Sequence, residues 1–216
     1  MYRRKILILI MVLCGIFCNA DDGSLVIDNE EPVKFVIGDD MFSPSAEVYD
    51  DWNNYRVHTF VSNVPEEYEI DMSEYHHPLH NNNELISPFG KRLSGTHKGV
   101  DIRATLQDTV YAAFDGKVRY AAYNAGGYGY LVVVRHYNGL ETYYAHLSRI
   151  NVTQNQFVIA GEALGTAGRT GRASCVHLHF ETRFCGVPIN PEEIISIEKG
   201  IVLDDIYKFK KKSKKK

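Results

Sequence analysis

The chain has 216 residues, of which 44% are hydrophobic and 24% are charged, and its formal net charge is −3. This length accommodates one sizeable domain with a flanking segment, or at most two very small domains. The small net charge conceals two charged segments: fifteen acidic against two basic residues between Asp21 and Glu74, and seven lysines among the last nine residues. Several full-sized domains are therefore excluded, and the charge is concentrated towards the two ends.

The first twenty residues have the layout of a secretory signal peptide. Basic residues at 3–5 precede an apolar run over 6–17, and Ala20 stands just before two aspartates. Because the run is well short of the ~20 residues that a membrane-spanning helix needs, a permanent membrane anchor is disfavoured. We expect cleavage after Ala20; a lipoprotein modified at Cys18 is the less favoured alternative. The predicted location is across the inner membrane, in the periplasm or outside the cell.

Residues 21–83 form an acidic N-terminal extension. Wholly disordered acidic tracts rarely carry many aromatic residues, and this segment keeps Phe35, Phe42, Trp52, Tyr55 and Phe60. We therefore predict an extension that is partly ordered and packs on the main domain. A solvated spacer after the signal peptide is the alternative.

From residue 84 to residue 195 the sequence has the pattern of antiparallel β structure. Short β-branched and aromatic runs alternate with Gly, Asn and Asp, without a long amphipathic helix or an internal repeat. Two dipeptides, Asp115-Gly116 and Asn138-Gly139, tolerate the positive φ values of tight hairpin turns. Each is predicted to join the runs that flank it, and the predicted fold class is mainly β.

Residues 196–216 form a basic C-terminal tail. Its last part, 208–216, cannot bury its lysines, so we expect it to be disordered. The lysines would make weak electrostatic contact with an anionic envelope polymer. Nucleic acid is a poorer partner, because the protein is predicted to be exported and no recognition fold accompanies the tail.

Only two cysteines, Cys175 and Cys185, remain after removal of the signal peptide. Export would permit a disulfide between them. However, ten extended residues span about 33 Å, whereas a bridge requires Cα atoms about 5.5 Å apart. Two separate thiols are predicted.

Three histidine-bearing segments carry the candidate chemistry: Thr96 to Asp101, Tyr144 to Ser148 and Val176 to Glu181. In a strand, residues two apart project from one face about 6.6 Å apart, so His177 and His179 share a face. Such a pair suits one metal ligand and one neighbouring acid/base group. An exposed polar strand face is the alternative.

His97 and Asp101 serve one metal only if the chain bends between them. Ligands of a tetrahedral zinc lie about 3.3 Å apart, against ~13 Å in an extended strand, and Gly99 permits the bend. A site with two histidines, one aspartate and no fourth protein ligand keeps a position for water, which is typical of catalytic zinc. Because no His-Glu-x-x-His helix supplies a glutamate, His146 and His177 are the acid/base candidates.

In this order and spacing the segments resemble the lysostaphin/LytM-type zinc metallopeptidases, secreted enzymes that cut the peptide stems or cross-bridges of bacterial peptidoglycan. The resemblance runs from Ser87 to Pro191 and includes the motifs at 87–90, 110–113, 126–129, 144–148 and 168–171. It implies a grooved domain of antiparallel sheets, of the duplicated hybrid motif-like kind.

The same resemblance implies the site residues. One Zn²⁺ would be bound by His97, Asp101 and His179. His146 and His177 would flank the metal-bound water and the scissile carbonyl, with the general base and the oxyanion stabiliser left unassigned. Glu181 shares the strand face of the histidine pair, where it is either a hydrogen-bond partner of an imidazole or an ordinary strand carboxylate.

Three functions are therefore open, and the leading one is a peptidoglycan endopeptidase. A cross-link between D-alanine and a diamino acid is preferred to a glycine bridge as its target. The alternative is a non-catalytic LytM-like protein that binds the wall and regulates other hydrolases; such proteins usually lack one or more of the five site residues, all present here. A third hypothesis is a latent enzyme, in which His76, His77, His80 or one of Asn81 to Asn83 fills the open metal position.

Overall fold

The structure of the chain is a computed structural model that describes residues 16–18, 25–27, 44–81, 83–93 and 95–211. It divides into two units, residues 1–37 and 38–216. In the first unit, β1 (Ile16–Cys18) and β2 (Leu25–Ile27) pair antiparallel. β1 lies within the predicted signal peptide, and the rest of that predicted segment lies outside the described residues.

The second unit is built almost entirely of β-strands. They are β3 (Glu67–Asp71), β4 (Leu85–Ser87), β5 (Gly90–Arg92), β6 (Gly95–His97), β7 (Val100–Arg103), β8 (Thr109–Tyr111), β9 (Gly116–Asn124), β10 (Gly129–His136), β11 (Leu140–Leu147), β12 (Arg149–Ile150), β13 (Phe157–Val158), β14 (Ala163–Thr166), β15 (His177–Phe184), β16 (Val187–Ile189), β17 (Ile195–Ser196), β18 (Ile201–Val202) and β19 (Ile206–Lys210). One 3₁₀ turn, Pro191–Glu193, is present. The mainly β fold class is confirmed.

One antiparallel sheet of eight strands dominates the fold, in the order β13-β9-β10-β11-β15-β7-β4, with β16 paired to β15. Side chains alternate between its two faces because the strand repeat is two residues. One face packs into the main core, for example through Tyr144, Leu178 and Phe180. The opposite face carries a smaller cluster that includes Val133 and Tyr143. The candidate histidines lie on this second face.

One of the two predicted hairpins is confirmed and the other is wrong. β10 and β11 pair on either side of Asn138-Gly139. Strand β8, in contrast, pairs with β14 in a three-stranded sheet, while β9 pairs with β10 and β13. The chain therefore crosses between sheets at Asp115-Gly116. Gly116 does not have positive φ; a Cβ there would overlap the carbonyl oxygen of Arg135, so glycine permits close strand packing.

The extension packs on the β domain from residue 44 onwards. Its buried apolar side chains belong to the main core: Tyr49, Val61, Ile70, Met72 and Leu79. A segment that we name the strap, residues 51–59, is held by two buried arginines. Arg119 donates to the carbonyls of Asn53, Arg56 and Val57, and Arg135 donates to that of Asp51.

Glu141 completes this anchor beneath the strap. Its carboxylate accepts from Arg119 at 2.6 Å and from Arg135 at 3.0 Å, and the Thr59 hydroxyl of the strap donates to it at 2.8 Å. The side chains of Glu141 and both arginines are at most 1% exposed. Because each charge is paired and hydrogen-bonded, the cluster meets the condition for burying charge inside a protein.

The predicted disorder of the lysine tail is wrong for residues 208–211. β19 pairs with β3, and the alternation of Lys208, Phe209 and Lys210 buries the phenylalanine while the lysines face water. Lys208, Lys210 and Lys211 form ion pairs with Glu69, Glu67 and Glu66. The acidic strand of the extension thus supplies the partner that the tail lacks on its own. Residues 212–216 lie outside the described part of the chain.

Cys175 and Cys185 lie at opposite ends of β15 as separate thiols, the first exposed and the second buried. Over the described residues, no helix has the length and apolar character needed to cross a membrane.

Candidate metal centre and catalytic site

The bend between His97 and Asp101 is present. His97 ends β6, Asp101 lies in β7, and Lys98 and Gly99 connect the two strands. The reason for glycine differs from the prediction, since Gly99 does not have positive φ. A Cβ at this position would overlap the carbonyl oxygen of Phe180, so Gly99 lets the connection lie against β15.

The structure brings three ligand atoms together: His97 Nε2, Asp101 Oδ1 and His179 Nδ1. They are separated by 3.1 Å (His97 to Asp101), 3.0 Å (His97 to His179) and 2.8 Å (His179 to Asp101). The antiparallel register places His179 directly opposite Asp101 on neighbouring strands. These separations are close to the spacing of about 3.3 Å that two ligands of one tetrahedral zinc adopt. The three residues form a group that could hold a metal ion.

Each member of this group is oriented by a second partner. His97 Nδ1 lies 2.7 Å from the Pro88 carbonyl and 2.8 Å from Arg92 Nη2, and these contacts hold the ring with Nε2 facing Asp101 and His179. His179 Nε2 lies 2.9 Å from Glu181 Oε1, so Glu181 is a hydrogen-bond partner of an imidazole, one of the two roles expected for it. Arg92 Nη2 donates to Asp101 Oδ2 at 2.9 Å.

Electrostatics favour ionised carboxylates in this cluster. Burial acts to raise the pKa of Asp101, but the hydrogen bonds of His179 and His97 outweigh it and hold that pKa well below its usual range. For His179, burial lowers the pKa, whereas the hydrogen bonds with Asp101 and Glu181 raise it to about 9. The carboxylates of Asp101 and Glu181 therefore favour positive charge in this cluster, whether it is a proton or a metal ion.

His146 reaches the cleft through a β-bulge. Tyr130 pairs with Leu147 and Val132 with Tyr144, so two residues of β11 oppose one residue of β10. His146 itself has φ of 62°, in the left-handed region that non-glycine residues rarely adopt. A bulge redirects a side chain from its regular position in the pleat. Nothing in the local sequence signals this distortion.

The imidazoles of His146 and His177 lie side by side, with ring centroids 4.8 Å apart. His146 Nδ1 lies 2.8 Å from the Thr170 carbonyl, and His177 Nδ1 lies 3.0 Å from the Cys175 carbonyl. Because carbonyls only accept, each Nδ1 carries a proton, and in the neutral form of either ring the lone pair is on Nε2. His177 Nε2 lies 3.6 Å from Asp101 Oδ1, so the pair adjoins the ligand triangle.

The charge state of His146 is set mainly by its surroundings. Burial, with a smaller effect of the neighbouring His177, lowers the pKa of His146 to about 4. The ring is consequently neutral near pH 7, which is the state that accepts a proton.

All five sequence-predicted residues line one open cleft of about 520 Å³. Its other lining residues are His58, Arg92, Thr96, Lys98, Gly126, Gly127, Tyr128, Arg172, Ser174 and Glu181. His58 comes from the strap, and its ring lies 6.0 Å from Tyr128 and 6.1 Å from Tyr143. The extension thus forms part of the cleft wall. Sequence reasoning missed both His58 and Arg92, although Arg92 follows the Ser-Pro-Phe-Gly motif by two residues.

The latent-enzyme hypothesis has no support from its described candidate residues, and Asn82 lies outside the described part of the chain. Within the described part of the chain, none of its proposed inhibitory residues, His76, His77, His80 and the asparagines that follow, lines the cleft. Their segment runs along β8 instead: the His76 N–H donates to the Ala113 carbonyl, and the Tyr111 N–H donates to the Pro78 carbonyl.

Comparison with known proteins identifies relatives for the region that holds the site. A model of peptidase family M23 matches residues 95–191. The DD-carboxypeptidase/endopeptidase Mpg of Neisseria meningitidis serogroup B is 41% identical over 116 residues, 51% of this chain and 26% of the relative. The murein hydrolase activator NlpD of Escherichia coli is 37% identical over 108 residues, 50% of this chain and 28% of the relative. The chain therefore matches little more than a quarter of the length of these relatives.

Two solved structures resemble the same region. The antimicrobial peptidase lysostaphin from Staphylococcus simulans matches with a TM-score of 0.51 and 27% identity, over 56% of this chain and 52% of that one. A zinc-containing peptidase from Vibrio cholerae matches with a TM-score of 0.50 and 26% identity, over 62% of this chain and 42% of that one. Together with the β architecture and the family match, these likenesses confirm the resemblance drawn from the sequence: residues 95–191 form a peptidase family M23 domain of the lysostaphin/LytM type.

Proposed function

We propose that this chain is a zinc-dependent endopeptidase that hydrolyses amide bonds in peptidoglycan stem peptides or cross-links. The observation that carries the proposal is the cleft itself. Three ligand atoms lie within about 3 Å of one another, and two further imidazoles with fixed Nδ1 protons stand beside them. Such an arrangement would place a Lewis-acidic metal ion beside two groups that can transfer protons.

His97 Nε2, Asp101 Oδ1 and His179 Nδ1 would hold the ion. Two imidazole nitrogens and one carboxylate oxygen suit Zn²⁺, and three protein ligands are typical of a catalytic zinc that keeps a position open. When bound, Zn²⁺ would supply Lewis acidity towards the scissile carbonyl and the attacking water. The residues around the triangle fit this role, since Pro88, Glu181 and Arg92 each orient one ligand.

His146 and His177 would manage the protons of the reaction. In its neutral form each ring presents an Nε2 lone pair, and one of these would take a proton from the attacking water. The proton is then returned to the nitrogen of the leaving amine as the amide bond breaks. The Thr170 and Cys175 carbonyls hold the two rings in the tautomer that these proton transfers require.

The charge of the cleft supports a stem-peptide substrate. Arg92, Lys98 and Arg172 line it. Basic side chains bind carboxylates, which a stem peptide carries at its C-terminus and on a diamino-dicarboxylic acid, whereas a glycine bridge carries none. We propose that Arg172 binds such a carboxylate.

Arg172→Gln is expected to raise KM about tenfold with kcat nearly unchanged. Kinetics on a soluble cross-linked stem peptide would measure this, and an unchanged KM would remove Arg172 from substrate binding.

A second candidate function is favoured by the similarity to the murein hydrolase activator NlpD, which is as strong in coverage as the similarity to the peptidase relative. In this alternative the chain binds the cell wall without cutting it and regulates other hydrolases. In both cases the place of action is the cell envelope, reached by export directed by residues 1–20, in the periplasm or outside the cell.

The deciding experiment uses protein that begins at Asp21. Zinc content and release of soluble muropeptides from purified peptidoglycan are measured for this protein and for its His179→Ala and His146→Ala variants. The proposal expects muropeptide release by the parent, loss of the cleft metal and of activity in His179→Ala, and loss of activity with the cleft metal retained in His146→Ala. If the parent binds zinc and peptidoglycan but releases nothing, the regulatory function replaces the enzymatic one.

A further inference from the structure

The histidines upstream of the M23 domain form a cluster that the cleft does not use. His76 and His80 lie on the segment between β3 and β4, and their Nε2 atoms are 3.1 Å apart. Two ligands bound to one metal at about 2.0–2.1 Å, with angles of 90–109°, have their donor atoms about 2.9–3.4 Å apart. The two nitrogens are therefore already at the separation of neighbouring ligands on a single ion.

The surrounding structure holds both rings in place. The His80 ring stacks on Tyr111 with centroids 4.1 Å apart and an interplanar angle of 16°, and the His76 ring packs edge-on against the same tyrosine at 5.6 Å. Gly161 lies against the His76 ring so closely that a Cβ there would have to displace it. A preorganised pair of ligands loses little conformational entropy when it binds.

Exposure and ligand type also suit metal binding. His80 is exposed and His76 is partly buried, so an ion could reach both Nε2 atoms from solvent. Imidazole is a good ligand for zinc, copper and nickel and a poor one for magnesium or calcium.

From this geometry we propose that His76 and His80 form a second metal site that binds Zn²⁺, separate from the M23 cleft. Two protein ligands leave the remaining coordination positions to water, so the site binds more weakly than the three-ligand cleft. It belongs to the extension, outside residues 95–191 that match the family model. The proposal does not depend on catalysis, because neither histidine lines the cleft.

Zinc binding to the metal-free protein that begins at Asp21, measured by equilibrium dialysis and elemental analysis, tests the site. Four proteins are compared: the parent, His179→Ala, His80→Phe and the double variant. The expected zinc contents at saturation are two, one, one and none. His80→Phe keeps an aromatic ring for stacking on Tyr111, and His76→Gln gives a second variant should His80→Phe fail to fold.

A spectroscopic readout identifies the ligands. Addition of paramagnetic Ni²⁺ to His179→Ala should broaden the imidazole proton signals of His76 and His80 before those of the other histidines, and His76→Gln should weaken Ni²⁺ binding at least tenfold. The proposal is overturned if His80→Phe and His76→Gln bind as much metal as the parent, or if other histidine signals broaden first. Loss of zinc from His179→Ala alone would bear on the cleft and leave this site standing.

Discussion

At the scale of single residues, each proposed metal ligand is held in place by a neighbour that is not itself a ligand. Arg92 is the least expected of these neighbours. Its guanidinium binds the Asp101 oxygen that the ligand triangle leaves unused, at 2.9 Å. It thereby fixes which oxygen of Asp101 faces His97 and His179. Partners of this kind commonly alter metal affinity by 10–100-fold when they are removed.

We therefore expect Arg92→Gln to weaken zinc binding at the cleft about tenfold while the protein stays folded. Competition with a chromophoric chelator measures the affinity. Arg172→Gln is the matched control, since Arg172 lines the same cleft without an ion pair to Asp101. Equal zinc affinities in the two variants would contradict a role of Arg92 in holding the ligand.

At the scale of elements, the strap and the sheet are joined by a buried charge cluster. Glu141 in β11 pairs with Arg119 in β9 and Arg135 in β10, and the same arginines bind strap carbonyls. The charge pairs are almost completely removed from water, unlike those between β3 and β19. Removal of one member leaves an uncompensated buried charge, which is far more costly than losing an exposed ion pair.

Glu141→Gln should accordingly lower the free energy of unfolding by about 3–5 kcal/mol, because two buried arginines lose their counter-charge. Lys210→Gln, which removes an exposed pair with Glu67, should lower it by less than about 1 kcal/mol. Urea unfolding followed by circular dichroism compares the two. Similar losses in both variants would show that the cluster does not anchor the strap.

At the scale of the whole molecule, acid stability should depend on buried neutral histidines. His136 is fully buried; its Nε2 lies 2.6 Å from the Thr142 hydroxyl and its Nδ1 lies 3.2 Å from the Asp115 carbonyl. Burial lowers the pKa of His136 to about 4, against 6.5 for an ordinary histidine. The unfolded chain thus takes up a proton at a higher pH than the folded chain does.

The free energy of unfolding should fall as the pH is lowered from about 6.5 to about 4. At lower pH, His136 should cause no further decrease. The part due to His136 is about 3 kcal/mol, since one pKa unit corresponds to about 1.4 kcal/mol. His136→Gln keeps a polar group in the site and should flatten this dependence. Urea midpoints at pH 7, 6, 5 and 4.5 measure it; an equal slope in both proteins would refute the assignment.

The sequence predicts the strand pair of His177 and His179, the bend at Gly99 and the mainly β fold because these depend on local periodicity and turn chemistry. Features that depend on distant partners escape it. The lysines after Ile206 are predicted to be disordered because the acidic strand β3, which pairs with them, lies well over a hundred residues earlier in the chain. The bulge at His146 is likewise set by pairing with β10, and Asp115-Gly116 has hairpin chemistry while its flanking strands belong to different sheets.

The pairing of β3 with β19 makes the ends of the second unit interdependent. Strand β3, which follows the strap, pairs with β19, and Glu67 lies opposite Lys210 in this two-stranded sheet. A nonsense mutation or a protease cut shortly after Leu203 would therefore damage the molecule at both ends. It would remove β19, expose Ile70 and the ring of Tyr68, and leave β3 without the strand to which it is hydrogen-bonded.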